Sequence, residues 1–213
     1  MGGTSEASAL AAKLAPEVRL NALISFAGRT KTVARAAIPY RIGGFGGIDG
    51  LTTFLATNQV AALVDATHPF SVQISAHAVA ATKAASVPLI RLLRKPWAPQ
   101  VNDRWTEVDD MVAAAAALGP LPKRVFLTTG KTDIAAFRPA SIHSYLVRVI
   151  DPFDPELPSA RVITARGPFT VDDERALLRR EKIDVVVTKN SGAAETRAKL
   201  KAARDLGIDV IVV

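Results

Sequence analysis

The sequence predicts an α/β protein whose parallel sheets are doubly wound by helices. Three observations predict it. β-branched runs that are apolar on both faces alternate with helical patterns along the whole chain. Turns rich in glycine, threonine and serine follow several of those runs. The alternation breaks once, in the aperiodic stretch "LLRKPWAPQVNDRW", which holds two prolines and two tryptophans. That break divides the chain near residues 93–104 into two α/β halves, 1–92 and 93–213, with a ligand cleft expected between them at the carboxyl ends of the strands.

The elements follow in order. "SEASALAAKL" reads as the first helix, and "LNALISFAG" and "IPYRIGG" as the next strands. "GLTTFLATN" is helical, "VAALVDAT" a strand, "SVQISAHAVAATKAA" a helix and "VPLIRLL" a strand. In the second half "VDDMVAAAAAL", "VDDERALLRR" and "AAETRAKLKAARDL" read as helices. "RVFLTTG", "SYLVRVI", "ARVITA", "DVVVTKN" and "IDVIVV" read as strands. "DPFDPELPSA" is a long loop within that half. Gly2-Gly3-Thr4 looks like a strand-to-helix turn, yet only Met1 precedes it. Either a strand before Gly2 has been trimmed, or its sheet position is filled from elsewhere in the chain.

Composition limits the function. The 213 residues, 49% of them hydrophobic, suffice for a real core. There is no cysteine, which excludes disulfides and thiolate metal sites and suits a cytoplasmic setting. The N-terminus lacks the basic and apolar regions of a signal peptide, and no apolar run reaches a membrane span's length of about 18 residues. Net charge is +7, and residues 1–92 hold only 4 acids against 8 basic residues. Such a field favours an anionic partner. The basic residues are scattered and aromatics are few, so a small anionic ligand is expected rather than nucleic acid.

The loops carry the chemistry. Gly2, Gly3 and Thr4 open a helix whose N-terminal amides suit a phosphate; the plain alternative is an ordinary helix cap. In dinucleotide folds an acid about 20 residues further on binds the ribose. Here the strand ends Ser25-Phe26-Ala27-Gly28-Arg29-Thr30, and Val18 through Ile48 carries five basic residues and no acid. Arginine at that tip suits a 2′-phosphate, hence NADPH over NADH; the alternative is a solvated surface arginine. Gly43, Gly44, Phe45, Gly46 and Gly47 follow the next strand, with Phe45 expected as an apolar lid over the cofactor. "VDATHPF" brings Asp65, Thr67 and His68 to a strand end, either as polar or proton-donating groups or as caps of the next helix. Three histidines without cysteine make no plausible zinc site, so no metal is expected.

In the second half Thr129-Gly130-Lys131 and Lys189-Asn190-Ser191-Gly192 end two strands. Gly130-Lys131-Thr132 matches the tail of a P-loop, but Val125 stands where its first glycine belongs. The two lysines are instead expected to bind carboxylates; the plain alternative is a pair of solvated surface lysines. There is no G-x-S-x-G elbow, and neither tyrosine has a lysine four residues on.

Read together, "GGTSEA", "SFAGRT", "RIGGFGG", "VDATHPF", "RKPW", "FLTTGK", "TKNSG" and "KAARDLGI" resemble, in order, the precorrin-6A reductase family of cobalamin (vitamin B12) biosynthesis. The chain departs from it at its ends: the apolar strand before "GGT" is missing, and the chain stops at "VIVV". The resemblance implies NADPH-dependent reduction of the precorrin-6A macrocycle to precorrin-6B by hydride transfer and protonation. It also implies two Rossmann-like domains, the first for NADPH and the second for substrate, that exchange a strand. On this reading Gly2, Gly3, Thr4, Ser25, Gly28, Arg29, Thr30, the 43–47 loop and Thr67 hold NADPH. Arg94, Thr129, Gly130, Lys131, Lys189, Asn190, Ser191 and Gly192 hold the tetrapyrrole's carboxylates. Asp65 and His68 shape the reacting face, and either of them, or water, supplies the proton. Two rival readings remain: a cobalt-precorrin-6A reductase using NADH, whose NADH part Arg29 argues against, and a non-catalytic dinucleotide-binding module. Oligomeric state is not legible.

Overall fold

The computed structural model describes residues 1–28 and 36–213. The chain forms two compact units, Met1–Arg94 and Lys95–Val213. The first contains α1 (Ser5–Leu14), β1 (Ile24–Phe26), β2 (Tyr40–Ile42), α2 (Gly47–Thr57), β3 (Leu63–Asp65), α3 (Val72–Ala84) and β4 (Leu89–Arg91). β1 pairs with β2 and β3 with β4, both parallel.

The first two residues join these pairs. The Met1 amine donates to the Val64 carbonyl at 2.7 Å, and the Ala66 amide donates to the Met1 carbonyl at 3.1 Å. On the other side the Gly2 amide donates to the Ser25 carbonyl at 2.9 Å. Met1 and Gly2 thus occupy the carboxyl end of a central strand position. The order across the unit is β2, β1, Met1–Gly2, β3, β4, the doubly wound order 3-2-1-4-5. A Cβ on Gly2 would lie 2.7 Å from Ile24 Cδ1, so only glycine passes this close to β1. Leu51, Leu55, Leu63, Ala78 and Ala81 form one core cluster, and Ala7, Ala11, Ile24 and Ala66 another.

The second unit contains β5 (Trp105–Glu107), α4 (Met111–Ala116), β6 (Arg124–Leu127), β7 (Ser144–Val149), β8 (Ala160–Thr164), α5 (Val171–Arg180), β9 (Val185–Thr188), α6 (Ala198–Leu206) and β10 (Asp209–Val212). Short 3-10 segments cover Lys131–Phe137 and Ala194–Thr196. The strands form one six-stranded parallel sheet in the order β5-β10-β9-β6-β7-β8. From β6 the chain runs outward through β7 and β8, then returns to β9 and β10 on the other side. The 3-2-1-4-5 order therefore recurs, with β5 added at the far edge.

Alternation sorts the side chains onto the two faces. Val125, Leu127, Val147 and Val187 pack in the layer of α4 and the first 3-10 segment. Phe126, Leu146, Val186 and Val210 pack under α5 and α6. Each such buried side chain contributes about 1.5–3 kcal/mol. The starts of α1, α4 and α5 are marked by hydroxyl or carboxylate caps: Thr4, Asp110 and Thr170 each accept an amide from three residues on.

The α/β class and the parallel pairing agree with the sequence. The strand exchange is not seen: among the described residues every sheet draws its strands from its own unit, and Met1–Gly2 backbone takes the central slot of the first. β5 begins at Trp105, inside the stretch read as aperiodic, because a three-residue edge strand has no period to detect.

Candidate functional site

In doubly wound sheets ligands bind outside the carboxyl ends of the strands, where the winding reverses. In the first unit that point is the Met1–Gly2 position, so Gly2, Gly3 and Thr4 stand at it. Gly3 has φ +120 and an open face: an added Cβ would meet nothing within 4 Å. The Thr4 hydroxyl accepts the Ala7 amide at 3.1 Å and donates to the Ala66 carbonyl at 2.8 Å, fixing α1 to the end of β3. Glu6 lies in the first turn of α1, where a second anion would be repelled. Arg94 offsets it. Its guanidinium pairs with Glu6 and reaches the Ser5 hydroxyl at 3.3 Å, with the Arg94 side chain only 10% exposed. Burial pushes the Glu6 carboxyl up, but hydrogen bonding to Arg94 and its own backbone outweighs this and holds it below its ordinary value. Arg94, expected at substrate, thus has its charge turned onto α1.

Ser25 ends β1, and Gly28 follows in a left-handed turn, φ +74. Arg29 and Thr30 lie outside the described residues. The Ser25 hydroxyl accepts from Arg41 at 2.9 Å. The same guanidinium donates to the carbonyls of Gly43 and Gly44, both at 3.0 Å. Gly43, Gly46 and Gly47 all have positive φ, and Cβ atoms built on Gly43, Gly44, Gly46 and Gly47 meet nothing within 4 Å. The loop is therefore a cradle of bare backbone. Phe45, expected as its apolar lid, is half-buried. Its ring packs edge-on against Phe54, centroids 5.0 Å apart, and against the Leu51–Leu55 core. Gly50 is required beside it, since a Cβ there would sit 1.7 Å from the Phe45 carbonyl oxygen.

Asp65 ends β3 and is 3% exposed. One carboxylate oxygen accepts from the Thr67 hydroxyl (2.7 Å) and amide (3.1 Å), the other from the Ser75 hydroxyl (2.6 Å), with Arg91 3.6 Å away. Burial pushes its carboxyl up; the Ser75 and Thr67 hydrogen bonds and the Arg91 charge overcome this and hold it below the usual range. Asp65 is thus an ionised brace for the turn that presents Thr67 and His68. Nδ1 of His68 accepts the Phe70 amide at 3.2 Å, which places the neutral ring's proton on Nε2.

In the second unit the winding reverses between β6 and β9. Thr129, Gly130 and Lys131 leave β6; Lys189, Asn190, Ser191 and Gly192 leave β9. The structure brings these two loops together. Lys189 forms an ion pair at 2.7 Å with Asp133 of the 3-10 segment. The exposed Lys131 amine reaches the Pro152 carbonyl at 3.4 Å and lies 5.3 Å from the Phe153 ring centre. The Thr129 hydroxyl is buried without a hydrogen-bond partner among the described residues. Asn190 spends its amide on the backbone of Trp97, accepting from its N–H (2.7 Å) and donating to its carbonyl (3.0 Å). Ser191, 6% exposed, accepts the Ala193 amide at 3.4 Å. Gly192 has φ +67. A shallow pocket beside Asn190 is lined by Glu107 and Asp109, the wrong sign for carboxylates.

Sequence reasoning missed Arg41 and Asp133. Nothing local marks Asp133 as the partner of a lysine 56 positions away, and Arg41 lay within a strand. Among the described residues no group of three His, Cys, Asp or Glu could hold a metal. Among the described residues no helix is long and apolar enough to cross a membrane.

Comparison with known proteins gives a consistent picture. The family model described as precorrin-6x reductase CbiJ/CobK matches residues 1–213. A precorrin-6A reductase of a Sinorhizobium species is 49% identical over 215 residues, covering 100% of this chain and 82% of the relative. One from Rhodobacter capsulatus is 49% identical, covering 100% and 85%. A cobalt-precorrin-6A reductase from Priestia megaterium is 30% identical, covering 100% and 88%. The solved structure of a CobK precorrin-6A reductase superposes with a TM-score of 0.93 at 49% identity, covering 99% of this chain and 84% of that one.

Proposed function

The chain belongs to the precorrin-6x reductase family, oxidoreductases of cobalamin biosynthesis, and from that premise we propose that it reduces precorrin-6A with NADPH in the cytoplasm. One observation carries the cofactor half. The open glycine backbone of Gly3 stands at the winding reversal of the first unit, the 43–47 loop follows β2 at the same carboxyl edge, and β1 between them ends with no acid. That donor set fits a dinucleotide: bare amides for the pyrophosphate, and Ser25, Gly28, Arg29 and Thr30 for the ribose and its 2′-phosphate. Met1–Arg94 is then the cofactor unit and Lys95–Val213 the substrate unit. The relatives' names favour the metal-free precorrin, since those at 44–49% identity are called precorrin-6A reductases and the cobalt-precorrin enzymes stand at 28–34%.

NADPH, when bound, would supply a hydride for a conjugated C=N/C=C unit of the macrocycle, with the balancing proton coming from solvent. The chain's own contribution is position and charge. Lys131 meets a rim carboxylate, while Asp133 keeps Lys189 in place beside it. His68, on the turn after β3, is the residue assigned to the charge that develops on the reduced ring. Asp65 positions that turn.

Calorimetric titration with NADPH and NADH tests the cofactor. NADPH binds tightly and NADH weakly in the wild type. Arg29→Ala loses one charge-assisted contact, about 1.5–3 kcal/mol. That weakens NADPH roughly ten- to a hundredfold and leaves NADH nearly unchanged. Equal weakening of both cofactors removes the 2′-phosphate assignment. Steady-state kinetics separate the other roles. His68→Gln lowers kcat by about 10²–10³ with KM for NADPH unchanged, whereas Lys131→Ala raises KM for the macrocycle with kcat retained. The opposite split would exchange the two assignments.

A further inference from the structure

Arg41 is the centre of a web of contacts that the reaction just described leaves unused. β2 is the outer strand of the first unit, with Tyr40 and Ile42 more than half exposed. A surface arginine there would ordinarily extend into water. Arg41 instead folds back along the carboxyl edge of the sheet. It donates to the Ser25 hydroxyl on β1 and to two successive loop carbonyls, Gly43 and Gly44. Its guanidinium carbon lies 4.2 Å from the centre of the Phe45 ring and 5.5 Å from that of Phe54. One side chain therefore fixes the end of β1, the carbonyls of the glycine loop and its only aromatic ring.

The loop has need of such a fixture. Three of its four glycines have positive φ, and none of the four is packed on its Cβ side. Ordering a backbone residue costs conformational entropy, and glycine loses more freedom than any other residue. A ligand that had to order this loop would lose affinity by that cost; a loop ordered beforehand spares it. The planar fork of arginine suits the task, because it donates in its plane to oxygens while its face lies on a ring.

We propose that Arg41 is the positioning residue of the dinucleotide site, holding the end of β1 and the Gly43–Gly47 loop as one preformed surface for the part of the cofactor common to NADPH and NADH. This rests on the dinucleotide reading above. Its partners among the described residues are a hydroxyl, carbonyls and rings of the protein itself, so this role does not call on the 2′-phosphate. That separates it from Arg29, whose loss is felt by NADPH alone.

The test is titration of wild type, Arg41→Gln, Arg41→Lys and Phe45→Leu with NADPH and with NADH, alongside steady-state kinetics. Arg41→Gln weakens both cofactors by the same factor, about ten- to a hundredfold, and raises KM for NADPH while kcat at saturation holds. Arg41→Lys restores only part of the affinity, since it keeps the charge but not the fork. Phe45→Leu removes the stacking face and touches none of the hydrogen bonds. It weakens both cofactors equally and by less, and decides the matter if Arg41→Gln does not fold. Wild-type affinity for both cofactors in Arg41→Gln, or in a folded Phe45→Leu if that variant stands alone, overturns the proposal. So does a loss confined to NADPH, which would make Arg41 a phosphate ligand. A wild-type protein that binds neither cofactor instead overturns the dinucleotide reading, and this role with it.

Discussion

Lys199 places an amine inside the core of the second unit, 3% exposed and 5.3 Å from the centre of the Trp97 ring. Around it stand Arg148, which lies against Phe126 and Phe169, and Glu174, which pairs with Arg148. Burial is the chief reason its pKa falls to about 7, the nearby Arg148 charge adds to the fall, and Glu174 opposes it. The sign of the pH dependence follows. Between pH 7 and about 10 the unfolded chain holds a proton on this lysine that the folded chain does not, so stability rises with pH across that window. Below pH 7 both states are protonated and the cost of the buried charge is full and constant. Lys199→Met removes that cost, each pH unit of the window being worth about 1.4 kcal/mol. Urea unfolding at pH 7, 8 and 9 should find the variant more stable at pH 7, with the difference shrinking towards pH 9. A difference that does not change with pH would mean that Lys199 keeps its charge in the fold. Asp65 shows the converse: its folded pKa is lowered, so its contribution is present above its unfolded value and lost in acid.

At the scale of elements, legibility tracked how local the determining interactions are. α1 and α5 were readable to the residue because each begins at a threonine whose hydroxyl caps it. α2 begins three residues before the apolar period suggests, at Gly47, because Gly46 turns in a left-handed conformation that admits the chain early. The segment Lys131–Phe137 reads as loop in the sequence and is a 3-10 turn in the fold, packed by Ile134 and Phe137, whose spacing suits i→i+3 bonding. Its position matters, since it carries Asp133 to Lys189. The site loops were legible as glycine-rich strand ends, but the uses of their side chains were not. Asn190 looked like a ligand group; its amide instead copies a strand pairing with the Trp97 backbone. Phe45, expected as a lid, is half-buried with its ring against Phe54. In both cases the deciding partner is remote in sequence, or selected by packing, and periodicity carries no record of either.

At the scale of the whole molecule, the same 3-2-1-4-5 order is built twice with very different amounts of core. In the second unit the sheet separates two large clusters, and β9 is buried along its whole length. In the first unit the strands are three residues long and the clusters are small and alanine-rich. Burial scales with apolar area, so the first unit should be the less stable and open at lower free energy. It is also the unit assigned to NADPH. A ligand that binds only the folded form stabilises it by about 2.7 kcal/mol at a hundred times its dissociation constant. Hydrogen exchange should therefore find faster-exchanging amides in β1–β4 than in β6, β7 and β9. Saturating NADPH should slow exchange in α1, β1 and β2 roughly a hundredfold, while the β6–β9 core changes little. If NADPH protects the second unit instead, the assignment of cofactor and substrate to the two units must be reversed.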